Sequence, residues 1–175
     1  KQGDDDLAPL ARLKQLRSLS LLNTPVTDGA LKHIAALKNL ERLDIRGTQI
    51  TPDGLQQLSG LKQLRMLAYG KLTDDLLVKY REAGLLHALS EADRPRQDGT
   101  PSSADVTHLQ LYGSAITDRG LPELAVFTHL QTLELGNTAI TDAGLASLRA
   151  FPSLKTLDLS NTQVTAAGMH HLGSL

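Results

Sequence analysis

Five stretches of the chain repeat one short pattern: "NTPVTDGALKHI" from Asn23, "GTQITPDGLQQL" from Gly47, "GSAITDRGLPEL" from Gly113, "NTAITDAGLASL" from Asn137 and "NTQVTAAGMHHL" from Asn161. Leu13, Leu37 and Leu61 step 24 residues apart through the first half, and Ser103, Phe127, Phe151 and Leu175 continue the step through the second. Self-similarity at this period predicts a solenoid, in which a unit too small to bury its own apolar side is covered by the next copy. With 41% hydrophobic residues but only 3% aromatic, the core must come from Leu, Ile, Val and Ala, which suits layers of identical shape.

Inside a unit the apolar marks read L-x-x-L-x-x-L-x-L-x-x-T-x-V/I, as at Leu13, Leu16, Leu19, Leu21, Thr24 and Val26. The pairs Leu19 and Leu21, Leu43 and Ile45, Leu67 and Tyr69, Leu109 and Leu111, Leu133 and Leu135, and Leu157 and Leu159 alternate with polar neighbours, the mark of short half-buried strands. Stacked in parallel at about 4.8 Å each, six such strands make a sheet roughly 25 Å across. The T-D-x-G-L run then returns the chain on the other side. Thr27, Thr51, Thr73, Thr117 and Thr141 stand where a hydroxyl caps a helix start. Asp28, Asp74, Asp118 and Asp142 follow in the first turn, where negative charge suits the helix dipole. Leu55 and Leu58, Leu121 and Leu124, and Leu145 and Leu148 are expected to bury at i, i+3 spacing. Thr24, Thr48, Ser114, Thr138 and Thr162 are expected to bond loop backbone from one repeat to the next.

Leu16, Leu19, Leu21, Thr24 and Val26 fall in the frame LxxLxLxxNxL, with Thr24 in the Asn position, so the chain resembles the leucine-rich repeat family. The "ITDAGL" continuation looks like a bacterial, Thr-containing form. The resemblance covers nearly all of the chain except about 76–105. It implies an α/β fold: a curved right-handed leucine-rich repeat solenoid with a parallel concave sheet of about six strands and short helices on the convex side.

The third unit breaks the pattern. In "LAYGKLTDDLLVKYREAG" the Thr-Asp pair arrives two residues early, and 42 residues rather than 24 separate Leu61 from Ser103. The chain therefore reads as a single domain over 1–175, a segment of a longer solenoid, with an inserted helix and loop at about 76–105. Thr73 caps a helix from Asp74 to Ala83, stopped at Gly84. "DRPRQDGTPSSAD" follows as an exposed loop, emerging from the helix side or an edge. Arg94 and Arg96 make this insert a second candidate contact surface.

Side chains that alternate with the buried leucines face the concave side. Of these, Arg42, Asp44, Arg46, Met66, His108, Gln110, Tyr112 and Glu134 are the candidate partner-binding residues, because Arg, Met and aromatic side chains together compose interface cores. Arg42 and Arg46 suit an acidic or apolar knob on a protein partner, and Glu134 and Asp158 make the far side more acidic. The function expected is a non-catalytic protein-interaction scaffold. The alternative is a recognition arm for an enzyme or adaptor segment outside this chain.

A net charge of −1 with both signs interspersed gives no footprint for nucleic acid. No apolar run reaches the roughly 20 residues that span a bilayer. The six histidines occupy unrelated repeat positions, and no phosphate loop or nucleophile elbow is present, so no metal, cofactor or catalytic residue is expected. A row of carboxylates would not converge the 6–8 oxygens that calcium takes. Neither terminus carries a polar cap, which implies flanking repeats or self-association through the ends.

Overall fold

The computed structural model describes residues 3–93 and 99–173. The first leucine of each pair is the inward residue of a strand only three residues long, flanked by two outward ones, and the second member lies just past the strand end. β1 (Ser18–Ser20), β2 (Arg42–Asp44) and β3 (Met66–Ala68) pair in parallel with a one-repeat offset, Ser18 beside Arg42 and Arg42 beside Met66. β5 (His108–Gln110), β6 (Thr132–Glu134) and β7 (Thr156–Asp158) do the same, His108 beside Thr132 and Thr132 beside Thr156. The inward Leu43 and Leu67 of the first set of strands and Leu109 and Leu133 of the second are fully buried.

The strands do not form the single six-stranded sheet expected from the sequence. They form a three-stranded sheet and a four-stranded one. Between them in sequence lies the insert, which supplies a neighbour to each sheet edge. Leu89 bridges Leu67 in parallel, while β4 (Ala92–Asp93) runs antiparallel to β5, Ala92 beside Leu109. An antiparallel neighbour cannot be continued in the parallel one-repeat register, so β5 begins a new sheet. The residues accordingly cluster into two compact units. Unit one comprises the described residues of Lys1–Gly70, Lys79–Ser90 and Gly99–Pro101, and unit two those of Lys71–Val78, Glu91–Asp98 and Ser102–Leu175.

The returning segments are mostly 3-10 turns, such as Pro52–Leu58, Leu121–Val126 and Gly144–Ala150. One four-residue helix, α1 (Leu31–Ile34), also occurs. Leu55, Leu58, Leu121, Leu124, Leu145 and Leu148 are all fully buried, as their spacing predicts. The longer of the two α-helices among the described residues, α2 (Asp74–Glu82), opens the insert. Thr73 Oγ1 accepts from the Leu76 N–H at 3.2 Å, and Gly84, at φ +68°, ends the helix in the left-handed conformation that glycine takes without strain. Tyr80, 2% exposed, donates its hydroxyl to the Leu67 carbonyl at 2.8 Å and so ties the helix to β3. Arg94 and Arg96 lie outside the described residues.

The Thr-Asp-Gly motif proves to be a three-part joint between successive repeats. Each Thr caps its own turn, Thr51 Oγ1 accepting from Gly54 at 3.2 Å and Thr141 Oγ1 from Ala143 at 3.2 Å. Each Asp reaches one repeat onward and accepts both the N–H and the O–H of the next Thr. Asp28 takes Thr51, Asp118 takes Thr141 and Asp142 takes Thr165, at 2.6–2.9 Å. Asp4 binds Thr27 in the same two-point manner. Asp74 binds Thr117, 43 residues away rather than 23, so this ladder passes over the insert. The hydrogen bonds hold Asp4 and Asp142 below the usual carboxylate pKa, the largest cause being the Thr27 hydroxyl for Asp4 and the Thr165 N–H for Asp142. The carboxylates thus do more than oppose a dipole.

The glycine makes room for that carboxylate. A Cβ on Gly29, Gly54, Gly120, Gly144 or Gly168 would fall within 3.0 Å of a carboxylate oxygen of Asp4, Asp28, Asp74, Asp118 or Asp142 respectively. The second unit carries Pro52 in the Asp position, and the third unit has Leu76 in place of the glycine. Asp53, one residue late, instead meets Lys79 Nζ at 2.8 Å.

Two further positions are fixed by backbone. Asn23, Gly47, Gly113, Asn137 and Asn161 all sit at φ between +54° and +70°, where the chain leaves the strand side, and Gly and Asn tolerate this conformation best. The Thr that follows bonds within its own repeat, not to the next one as the sequence suggested. Thr24, Thr48, Thr138 and Thr162 donate to the carbonyls of Leu21, Ile45, Leu135 and Leu159 at 2.5–2.7 Å. A hydroxyl three residues past a carbonyl in a tight turn is already within reach of it. Ser114, in the same position, has a buried hydroxyl oxygen without a hydrogen-bond partner.

Candidate functional site

The outward residues of the short strands are placed by the stack and used little by it. In unit one, register aligns Ser18, Arg42 and Met66 in one row and Ser20, Asp44 and Ala68 in the next. Arg42 is exposed and Met66 half-buried beside it. Arg46, two residues after Asp44, folds back on it. Its Nε donates to Asp44 Oδ1 at 3.0 Å and its Nη2 to Oδ2 at 2.7 Å, and its own N–H to Oδ1 at 3.1 Å. Hydrogen bonding from the Arg46 side chain is the main reason that Asp44 is held below the usual carboxylate range. Arg46 is therefore committed to its own strand's carboxylate.

In unit two the corresponding rows are His108, Thr132 and Thr156, then Gln110, Glu134 and Asp158. His108 is exposed and its Nδ1 lies 2.9 Å from Thr107 Oγ1. Tyr112, 58% exposed, is the largest aromatic surface in the unit. Its ring lies against Gly136, whose added Cβ would stand 2.8 Å from Tyr112 Cδ2, 2.8 Å from Asp158 Oδ2 and 2.7 Å from Ser160 Oγ. The Ser160 N–H, followed by its hydroxyl, keeps the Asp158 carboxyl below its ordinary pKa.

Of the eight candidate residues, Arg42, Asp44, Arg46 and Met66 are thus brought together on the first sheet, and His108, Gln110, Tyr112 and Glu134 on the second. Sequence reasoning placed Gly136, Asp158 and Ser160 on the face but left them out of the candidate partner-binding residues, although Gly136 and Ser160 shape the ground around Tyr112. The available signal was the residue two past each acidic strand position: Arg46 after Asp44, Gly136 after Glu134, Ser160 after Asp158. Among the described residues no group of three or more His, Asp or Glu side chains is placed to hold a metal ion, and no helix is long and apolar enough to cross a membrane.

Known families match the repeats themselves. A family described as Leucine Rich repeats (2 copies) matches residues 128–168, and one described as Leucine Rich repeat matches residues 36–59. The chain is a leucine-rich repeat protein. Solved structures agree on the fold of this leucine-rich repeat protein. An internalin of Listeria monocytogenes (InlF) superposes with a TM-score of 0.58 at 22% identity, over 96% of this chain and 48% of the internalin. Internalin C2 of the same organism superposes at 0.50 and 21% identity, over 95% of this chain and 71% of its own. The chain thus spans about half the length of the first internalin. No curated protein matches it in sequence. The fold is internalin-like, with parallel strands alternating with short helices.

Proposed function

We propose that this leucine-rich repeat domain is a non-catalytic scaffold that recognises a protein partner through the outward faces of its sheets. Domains of this family generally bind proteins and are generally not catalysts. The carrying observation is the contrast between the two sides of each strand. Inward, each of the three-residue strands presents leucine, since any smaller or polar residue would open a cavity in the stack. Outward, the same register positions change from Ser18 to Arg42 to Met66, and from Gln110 to Glu134 to Asp158. The stack does not require these side chains, and they include an exposed Arg and an exposed Tyr, residue types that dominate interface energetics.

The test is partner capture from source cells by the wild type and by two paired variants, Arg42→Ala with Met66→Ala and His108→Ala with Tyr112→Ala. A third pair on the opposite side, Gln57→Ala with Lys62→Ala, controls for nonspecific effects. Loss of the same captured protein by either sheet-face pair, with the control retaining it and all variants melting alike, supports the proposal. Loss confined to the control pair would overturn it.

A further inference from the structure

Glu134 and Asp158 stand directly opposite each other on β6 and β7, and no ion-pair partner among the described residues neutralises either. Like charges in register destabilise a sheet, so the fold tolerates a pairing that it does not need. The first sheet shows how the same chain deals with this strand position. There Asp44 is closed by Arg46, whose guanidinium lies along the carboxylate in a two-point pair. At the equivalent place after Glu134 the chain has Gly136, which contributes no side chain, and after Asp158 it has Ser160, which contributes a short hydroxyl. Tyr112 lays its ring against Gly136 and keeps 58% of its surface in solvent.

We infer that Tyr112, Glu134, Gly136 and Asp158 form a seat for a cationic side chain, an arginine of a protein partner, which occupies beside Glu134 the position that Arg46 takes beside Asp44. This rests on the sheet face being the interaction surface and adds the chemistry of what it recognises. The two carboxylates supply acceptors for a guanidinium, and the Tyr112 ring supplies an aromatic surface for the cation. Arginine fits better than lysine, because an ammonium cannot meet two carboxylates and an aromatic face in one plane.

The probe is a blocked heptapeptide carrying two arginines, compared with the same peptide carrying citrulline, which has the same shape without the charge. Binding is followed by amide chemical shifts of the whole chain. The arginine peptide is expected to produce saturable shifts at Tyr112, Gly136 and Asp158, with the citrulline peptide weaker by about tenfold or more. Glu134→Gln with Asp158→Asn, which keeps every side-chain shape, is expected to lose binding by a similar factor. Gly136→Arg, which puts a guanidinium into the seat and pushes its Cβ against Tyr112, Asp158 and Ser160, is expected to abolish it. Equal response to both peptides, shifts elsewhere only, or none at millimolar peptide would overturn the inference. If the peptides fail while the paired sheet-face variants still lose their captured partner, the cationic seat falls and the interaction surface stands. If those variants keep their partner, both fall.

Discussion

Gly144 is present because Asp118 is. A methyl group at 144 would come within 3.0 Å of the Asp118 carboxylate, so Gly144→Ala, ordinarily mild in a turn, is expected to cost about 1–3 kcal/mol in urea denaturation, the range for overpacking. In an Asp118→Ala background the same change should cost much less, and a double-mutant cycle reads the difference. Additive effects would show that the glycine serves its own backbone instead. The same joint predicts an acid sensitivity. Asp4 and Asp142 have folded-state pKa values below the ordinary Asp value of about 3.9. Their contribution is therefore complete above that value and lost as pH falls through the folded pKa. Denaturation midpoints measured from pH 6 down to pH 2 should fall below about pH 4, and fall less steeply in Asp4→Asn with Asp142→Asn. The Thr half of this joint was legible, because a capping hydroxyl acts on a neighbour two or three residues away. The Asp half was not, because its partner lies a whole repeat onward. The clue was nevertheless in the sequence: glycine follows one repeat after every Asp and gives way to Leu76 after Pro52.

At the scale of elements, the short strands were readable wherever a leucine pair alternates with polar residues, and α2 was readable from Thr73 to Gly84. The division of the sheet was not. The excess length between Leu61 and Ser103 marks where the period fails, but β4 is two residues long and has no alternation to recognise, and its antiparallel direction depends on pairing with Leu109 and His108. Six of the eight candidate residues lie on strands and Arg46 and Tyr112 just past the ends of β2 and β5, while their distribution over two sheets followed from the insert. The helix within that insert is tied down by Tyr80. Removing only the hydroxyl, Tyr80→Phe, is expected to cost about 1 kcal/mol by leaving the Leu67 carbonyl without this donor. Tyr80→Ala is expected to cost about 3–5 kcal/mol, because the ring fills the space under the helix. Thermal or urea melts of the two variants check the order, and equal losses would mean that the hydrogen bond carries what packing is credited with here.

For the molecule as a whole, stacking implies that stability is shared between neighbours and not set by local bonds. Thr132 and Thr156 provide a matched comparison. Their N–H groups make the same kind of bond to the strand before, to Thr107 at 3.0 Å and to Gln131 at 2.9 Å. They differ in what lies around them. β6 is paired on both sides, by β5 and β7, and its Leu133 is fully buried, whereas among the described residues β7 pairs only with β6 and its Leu157 is half-buried. If neighbours set the protection, the Thr156 amide should exchange with solvent faster than that of Thr132, on the order of tenfold or more, as expected for local opening against deeper unfolding. Native-state hydrogen exchange by NMR measures both sites in one experiment. Equal rates would mean that unit two opens as one cooperative block, in which case the ladder of Asp118, Asp142 and their threonines couples the repeats more tightly than the leucine stack does.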